Sequence, residues 1–507
     1  MISRYHVCKL FIICGVLTCI TNFPSGFTNS SVNTAVDELK HFINQSYSSR
    51  GWNMTEGAQS IVRSAILNCW FIAQVAGSFI SPYITDKYGR KFAYLFSTAV
   101  MTAASGLQFI ATLTSLPELL MLGRFTAALC SPLSDAALIL YLQECSPIQY
   151  RGTFSFLGEI GYCLMCVLGM VLGMRAVLGS SLPKMLGYSI IPGLVSLLFL
   201  FLIPETPKYL MIVKHDRKGA LESLQFFQGE KKENEQLLDA FLQEATHDNS
   251  KKRSSIKEVL KTWHLRFAVI LACTVLILTV SFYPFLQSST LFFRHIGIKA
   301  EMAELSSTLL MIAFTIACVI GSFFIDRWPR RFLVMGSGSL ATVFLTLFVV
   351  FSVMRSHGWW LKYGALGAVF GYAITFGMVL GPISWFVAPE LVSQRHRSTV
   401  FCLCYGINNV LIAITNFATV PLYDLIGAYT MIPLFIVPSI ICLVVIYLYL
   451  PETLGKETHE IVRGIRDRRK QSVVHSESSS GTDSDSDPEN ELQELKEHEK
   501  KPEISLP

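Results

Sequence analysis

The sequence predicts an all-α integral membrane protein with twelve transmembrane helices arranged as two six-helix bundles. The chain of 507 residues is 51% hydrophobic and only 16% charged, whereas soluble domains are about 25% charged. Its charges cluster between apolar runs of about 20 residues, the length that crosses the core of a bilayer. Short polar motifs also occur twice, in the same order, in the two halves of the chain.

The apolar runs divide into six predicted spans in each half. They must be helices, because lipid offers no partner for an unpaired backbone N–H or C=O group. The predicted spans of the first half are 7–27, 64–84, 93–113, 119–142, 153–174 and 185–203. Those of the second half are 266–293, 303–325, 332–353, 363–388, 399–420 and 429–450.

The first span leaves alternatives open. Arg4, Lys9 and a short apolar core resemble a secretory signal, but no clean small-residue cleavage site follows. Removing this span would also leave eleven helices and break the correspondence of six with six. Pro24 and Gly26 interrupt the run, which indicates either a helix break near a binding site or simply the end of the helix.

The spans and the polar segments between them predict four regions. Residues 1–203 form an N-terminal six-helix bundle with an outside loop at 29–63, and residues 266–450 form a C-terminal six-helix bundle. Residues 204–265 are predicted to be a cytoplasmic linker with short interfacial helices. Residues 451–507 are a predicted cytoplasmic tail, disordered from about 470 because it holds too few apolar residues to fold alone.

Lysine and arginine residues determine the predicted orientation. They are concentrated in segments such as 85–91 and 145–151, and they are absent from 114–118 and 421–428. Because loops rich in Lys and Arg stay on the cytoplasmic side, both termini of this multi-pass protein are predicted to be cytoplasmic.

The predicted outside loop contains three Asn-x-Ser/Thr tripeptides, at Asn29, Asn44 and Asn53. Asn29 is expected to lie too near the membrane to be modified. Asn44 and Asn53 are therefore the predicted glycosylation sites.

The tail contains serine residues among acidic residues, beginning near Ser476. Two interpretations stay open. The segment is either a solvated tail or a substrate for a protein kinase that prefers acidic surroundings.

Three polar motifs of the first half return in the second half at nearly the same spacing. A duplicated membrane protein of this kind is typical of transporters. The matching pairs are Asp86–Phe92 with Asp326–Phe332, Glu144 and Arg151 with Glu390 and Arg397, and Pro204–Thr206 with Pro451–Thr453.

The charged residues of these motifs predict a gate at the cytoplasmic face, where helix ends of each half converge. One exposed ion pair contributes about 0–1 kcal/mol, but two networks of shielded pairs can bias an equilibrium between two conformations. We expect the networks to close the cytoplasmic side while the site faces outward. The alternative is that these residues are only topology signals and turn formers, with Gly89 permitting the turn. The predicted gate residues are Asp86, Arg90, Arg124, Glu144, Arg151 and Glu205, then Asp326, Arg330, Arg331, Glu390, Arg397 and Glu452.

These motifs resemble the major facilitator superfamily, and within it the sugar-porter branch of facilitative glucose transporters. The resemblance covers about residues 5–465. It implies a twelve-helix fold of the plasma membrane that moves a hexose or a related small polar solute by alternating access, from a central site between two bundles. The segments that carry it are Asp86–Lys91, Gly123–Phe125, Glu144–Gly152, Pro204–Leu210, Asp326–Arg331, Gly381–Phe386, Glu390–Arg397 and Pro451–Gly455.

The resemblance also implies which residues contact the solute. Trp385 matches the tryptophan of span 10, and Asn408 matches the asparagine of span 11. A hexose needs many directed hydrogen bonds, and several other sugar-contacting positions of the family carry different residues here. The resemblance therefore supports the scaffold and leaves ordinary glucose as the solute in question. The departing positions are Glu159, Ile277, Leu278, Tyr283, Phe314, Gly377 and Asn409.

Polar residues inside the spans supply the other candidates for the site. A carboxyl group at mid-helix costs about 2.5–3.5 kcal/mol to insert. Glu159 and Asp135 are therefore expected either to face the cavity or to be satisfied by neighbouring helices. Gln287, in a polar patch of span 7, is expected either to contact the solute or to hydrogen-bond between helices. The candidate solute-binding residues are Glu159, Gln287, Trp385, Asn408 and Asp135.

Other functional classes find no support in the residues. The chain has no Gly-rich ATP loop, no Ser-His-Asp arrangement and no basic stripe for nucleic acid, and most of its 13 cysteines lie in apolar runs. We expect no catalytic residue, no metal and no cofactor; the partners are a small solute and the lipid bilayer. Three functions stay open: a facilitative transporter, a proton-coupled or cation transporter that uses Glu159, and a non-transporting solute sensor.

Overall fold

The protein is helical, as the sequence predicts. The computed structural model describes residues 4–147, 151–230, 234–249, 256–321, 323, 328–392 and 396–452. Within these ranges, eleven helices are long and apolar enough to cross a membrane, and the predicted span 153–174 contains a shorter apolar stretch, Leu157–Gly173. The predicted fold class is therefore confirmed.

Residues 4–147 and 151–202 of the first half form eight helices, of which α7 and α8 together correspond to the sixth predicted span. A short π-helical segment, Arg175–Gly179, precedes α7. The helices are α1 (Arg4–Thr34), α2 (Val36–Ser49), α3 (Glu56–Tyr88), α4 (Arg90–Leu113), α5 (Pro117–Cys145), α6 (Arg151–Gly173), α7 (Leu182–Tyr188) and α8 (Ile190–Leu202).

The described residues between the halves form four helices, and three of these share an apolar cluster that includes Met211, Leu224 and Leu238. The linker helices are α9 (Pro207–Ile212), α10 (Arg217–Gln228), α11 (Asn234–Asn249) and α12 (Ile256–Lys261). Those of the second half are α13 (Trp263–Ile277), α14 (Phe282–His295), α15 (Ala300–Gly321), α16 (Arg330–Val353), α17 (Leu361–Thr375), α18 (Gly381–Glu390), α19 (Arg397–Ile426) and α20 (Val437–Tyr449).

Helix α1 does not end or break at Pro24, contrary to both interpretations of the sequence. It continues to Thr34, because tertiary neighbours can support a proline inside a membrane helix. Gly26 instead permits close packing: a Cβ at this position would lie 2.9 Å from the Cβ of Met165 on α6.

The region predicted as an outside loop at 29–63 is largely helical, which corrects that prediction. Helix α1 ends at Thr34, α2 follows almost at once, and residues 50–55 lead to α3. Leu39 and Ile43 are buried on one face of α2. This four-residue spacing of apolar side chains favours a helix, but the polar composition of the segment concealed it.

Glycosylation is expected at Asn44 and Asn53, because both are exposed whereas Asn29 is buried. After expression in a glycosylating cell, we expect Asn44→Gln and Asn53→Gln each to increase gel mobility and Asn29→Gln to have no effect. Digestion with peptide N-glycosidase should remove the differences. An unchanged mobility of the digested parent protein would contradict this prediction.

In the described part of the chain, the most extensive packing between the two halves involves the following helix pairs. Helix α1 packs against α14, α3 against α19, and α6 against α15. Within the first half, α1 packs against α6 and α5 against both α3 and α4. The boundary between the halves therefore includes α6, α14 and α19, which carry the candidate solute-binding residues Glu159, Gln287 and Asn408.

The turn between α3 and α4 requires glycine. Gly89 has a φ of +102°, and a Cβ there would lie 2.5 Å from Oε2 of Glu205. The corresponding turn of the second half uses Pro329 immediately before α16, so the duplicated motif begins its second helix by a different backbone device.

Candidate functional site

The repeated charged motif of the first half forms a compact network at the predicted cytoplasmic end. Arg90 donates from Nη2 and Nε to Oε1 of Glu144, at 2.9 and 3.2 Å. The hydroxyl of Thr206 donates to the other oxygen of Glu144 at 2.6 Å. The Glu205 carboxylate accepts the backbone N–H of Lys91 at 2.9 Å. Three separate segments are thereby joined.

The second half repeats this arrangement with looser geometry. The Glu452 carboxylate accepts the backbone N–H groups of Arg330 and Arg331 at 2.7 and 3.0 Å, as Glu205 does for Lys91. The Nε atom of Arg330 also lies 3.6 Å from Oε1 of Glu390. The internal duplication of the sequence is thus a duplication of contacts.

Glu205 is shielded from solvent in its network. Burial raises the pKa of this carboxyl above its ordinary value, and the backbone N–H groups of Thr206 and Lys91 oppose that effect. The half-buried Asp86 lies in the last turn of α3. Asp326 and the side chains of Arg151, Arg397 and Trp385 lie outside the described part of the structure.

Arg124 does not belong to the predicted gate. It lies in the second turn of α5, whereas Glu144 lies in the last turn, so about 30 Å of helix separates them. Its buried guanidinium donates to the carbonyls of Ile66 and Thr28 at 2.8 and 2.9 Å. Assigning it to the cytoplasmic end was wrong, because the side of the membrane follows from the position along the span and not from the residue type.

The halves are joined at the opposite, predicted external end, where Asn33 of α1 contacts α14. Its amide donates to the carbonyl of Leu286 at 3.0 Å and to the hydroxyl of Ser289 at 2.8 Å. Its Oδ1 accepts the backbone N–H of Thr290 at 3.0 Å. Helix α14 is kinked at Ser288, where φ is −144°, and this exposes the backbone groups that Asn33 uses.

Two ion clusters reinforce this junction. In the first, Asp37 pairs with Arg294 of the second half and with Arg175 of the first, the latter at 2.6 Å. Arg175 also lies 3.6 Å from Oε1 of Glu304 in the second half.

In the second cluster, Asp424 of the second half meets Ser60 and Arg63 of the first. The Ser60 hydroxyl donates to Oδ2 of Asp424 at 2.7 Å, and Nη2 of Arg63 lies 3.9 Å from the same oxygen. His295 lies 3.4 Å from Oδ1. Neither cluster is among the sites predicted from the sequence, although charges at the ends of the predicted spans are a usable signal.

Gln287 links the halves below this junction. Its Nε2 lies 3.5 Å from Oδ1 of Asn29, and its Oε1 lies 3.4 Å from Nδ2 of Asn416. Of the two roles expected for Gln287, the hydrogen bond between helices is the one seen in this conformation.

Asn408 is buried with an unsatisfied amide. It is 1% exposed, and neither its Oδ1 nor its Nδ2 has a hydrogen-bond partner in the described structure. The neighbouring Asn409 donates instead to the carbonyl of Tyr405 in its own helix at 3.0 Å. An unpaired buried amide costs about 1–3 kcal/mol, so Asn408 is available to a solute or to water.

An aromatic cluster of the second half includes Phe314, which the family resemblance aligns with a sugar-contacting asparagine. The ring of Phe282 stacks on Phe314 at 4.7 Å and on Phe376 at 4.6 Å. Gly377 fits beside it, because a Cβ there would lie 2.7 Å from the carbonyl oxygen of Phe314. A larger residue at position 377 would disturb this packing.

Glu159 on α6 and Asp135 on α5 are half-buried. Neither has an ion-pair partner in the described structure; Asp135 lies near Ser131 of its own helix. Tyr283 of the second half lies within electrostatic range of Glu159 and packs edge-on against Phe71 of α3 at 5.4 Å. Glu159 is thus near the boundary between the halves.

These features define a two-bundle membrane transporter with a polar interior and distinct contacts at its two ends. The family described as "Sugar (and other) transporter" matches residues 9–464. The chain therefore belongs to that family, within the sugar-porter branch of the major facilitator superfamily.

Curated relatives and solved structures are similar along nearly the whole length. Human "Solute carrier family 2, facilitated glucose transporter member 9" is 26% identical over 462 residues, covering 89% of this chain and 84% of that protein. Chicken facilitated glucose transporter member 3 is 23% identical over 464 residues, covering 89% and 90%. The xylose transporter XylE from E. coli, in a partially occluded inward-open conformation, has a TM-score of 0.71 at 13% identity, covering 87% of this chain and 99% of XylE.

Proposed function

We propose that this protein moves a hexose-sized polar solute across the plasma membrane by facilitative alternating access. The observation that carries the proposal is the set of contacts that joins the two halves at one end. Asn33 and the Asp37 and Asp424 clusters form these contacts.

Opening the predicted external end requires breaking those contacts between halves. Each partly exposed ion pair contributes about 0–1 kcal/mol, and each hydrogen bond about 0.5–1.5 kcal/mol. Their combined effect is a few kcal/mol, enough to determine which of two conformations is populated. The kink at Ser288 lets the first part of α14 stay packed while the second part moves.

The gate role of the repeated networks follows from this cycle. Arg90 with Glu144 and Arg330 with Glu390 hold the helix ends of their own half as rigid units. We propose that these two units approach each other when the predicted external end opens. The positively charged loops support a cytoplasmic location for this end and for both termini.

The solute-binding residues proposed for the interior are Asn408 and Glu159, together with Asp135 and Trp385. The unpaired amide of Asn408 supplies a donor and an acceptor. The relatives named above are glucose and xylose transporters, but Phe314 and its aromatic neighbours leave fewer polar groups for a sugar hydroxyl. We therefore expect this protein to discriminate among hexoses less strongly than those relatives, or with a different order of preference.

Tracer uptake into proteoliposomes tests the function. We expect saturable uptake of at least one hexose or polyol from a solute panel, equal with and without a pH gradient, and equilibration rather than accumulation. Accumulation that requires the pH gradient would show coupling instead. Binding of a solute without any uptake would show a sensor.

Asn408 provides a residue-specific prediction. We expect Asn408→Ala to lower the specificity constant for uptake by about tenfold, the effect of losing one or two hydrogen bonds to a solute. Asn409→Ala is the matched control, because its amide bonds its own helix, and uptake should change less than twofold. Equal losses in the two variants would contradict a solute contact at Asn408.

A further inference from the structure

Arg63 is a buried charge without hydrogen bonds. It is 2% exposed, and its Nε, Nη1 and Nη2 have no hydrogen-bond partner in the described part of the chain. A guanidinium carries five N–H donors. Burying such a charge without satisfying them costs several kcal/mol, so the closed external end contains a strong and unused anion-recognising group.

The Asp424 carboxylate does not satisfy Arg63. The separation of 3.9 Å between Nη2 and Oδ2 is too long for a hydrogen bond. Oδ2 already accepts from Ser60, and Oδ1 faces His295. Arg63 and Asp424 therefore attract each other only through their charges, and the guanidinium N–H donors have no hydrogen-bond partner in the described part of the chain.

Positive charge exceeds negative charge around this position. Arg63, Lys40, Arg175 and Arg294 are cationic, whereas Asp37, Glu304 and Asp424 are anionic. Burial, together with the positive charges of Arg63 and Arg294, lowers the pKa of Lys40 despite the opposing carboxylates. The exposed Arg355, which donates to the carbonyl of His295, adds to the excess. The cluster is one negative charge short of balance before Arg355 is counted.

We propose that a small monovalent anion of the halide type binds to Arg63 between the two halves and stabilises the closed form of the predicted external end. The anion accepts hydrogen bonds from the free guanidinium N–H groups and supplies the missing charge. Arg63 belongs to the first half and Asp424 with His295 to the second, so the anion lies at their junction and leaves when the halves separate. Water alone would satisfy the donors but not the charge.

The test uses the purified full-length protein and bromide as the probe. Thermal unfolding is measured in sodium bromide and in sodium gluconate at constant ionic strength. We expect a saturable rise in Tm with bromide for the parent protein and no bromide-specific rise for Arg63→Met. Arg50→Met is the matched control: Arg50 lies at the same end but is already bound to Glu118 at 2.7 and 3.0 Å, so the bromide effect should persist.

A second variant keeps the test decisive where Arg63→Met does not fold. Asp424→Asn retains Arg63 and removes the competing carboxylate, so we expect bromide to bind about tenfold more tightly. Identical unfolding of the parent protein in bromide and gluconate, an undiminished bromide effect in Arg63→Met, or an unchanged bromide affinity in Asp424→Asn would overturn the proposal. This inference rests on the proposed transport cycle only in identifying the described conformation as the one closed at the predicted external end. The unfolding assay requires no uptake, so its result does not depend on whether the protein transports a solute.

Discussion

Replacing Asn33 with alanine should open the predicted external end of the transporter. The substitution removes hydrogen bonds to the Leu286 carbonyl, the Ser289 hydroxyl and the Thr290 N–H group, all across the boundary between halves. At about 0.5–1.5 kcal/mol each, their loss should raise the outward-open population by tenfold or more, from the relation of about 1.4 kcal/mol per factor of ten.

The measurement is the rate at which an impermeant maleimide, added outside, labels a cysteine introduced at Ser60. This position is 6% exposed and lies against Asp424 of the other half, so labelling requires the halves to separate. Ser30→Ala is the control, because its hydroxyl bonds Gly26 within α1 and should leave the rate unchanged. Equal labelling rates in Asn33→Ala and its parent would show that these bonds do not hold the end closed.

Glu144→Gln should be the most destabilising single change in the repeated networks. The side chains of Arg90 and Glu144 are only 13% and 7% exposed, so neutralising Glu144 removes the carboxylate that Arg90 contacts directly and leaves only the longer-range attraction of Glu205. Removing one partner of a buried pair costs about 3–5 kcal/mol, and the slight exposure of Arg90 places the expected loss near about 3 kcal/mol. The measurement is thermal unfolding of the purified protein, with uptake as a second readout.

Substitutions of two other carboxylates should reduce stability by smaller amounts than Glu144→Gln. Glu118 pairs with Arg50 on the surface, with side chains 52% and 35% exposed, so Glu118→Gln should cost about 0–1 kcal/mol. Glu390→Gln should lie between the two, because Glu390 is 31% exposed and 3.6 Å from Arg330. A Glu144→Gln protein as stable as Glu118→Gln would refute the structural role of the first-half network.

The repeated networks could be predicted from sequence because membrane topology confines their residues to a few helix ends. Glu205 and Glu452 follow the last span of their halves, and the turns at Gly89 and Pro329 precede the third span. A repeated motif at these positions therefore implies a repeated contact. Arg124 shows the limit of this argument. It belongs to no repeated motif and lies near the start of a span, where it donates to backbone carbonyls.

The junction at the other end could not be predicted in the same way. Asn33 and Thr290 are far apart in sequence, and neither belongs to a repeat. Asp424 looked like an ordinary residue at the end of a span, and its neighbours Ser60 and His295 come from different helices. Which helices meet across the two halves is a tertiary property that hydropathy and motif spacing do not contain.

The most direct test of alternating access measures distances across the two ends in one sample. Spin labels at His41 and Lys299 report the predicted external end, and labels at Lys87 and Trp328 report the predicted cytoplasmic end; all four positions are exposed. In Asn33→Ala relative to its parent, we predict that the first distance lengthens while the second shortens. Two distances that lengthen together, or a change at one end alone, would contradict a pair of bundles that rock about a central site.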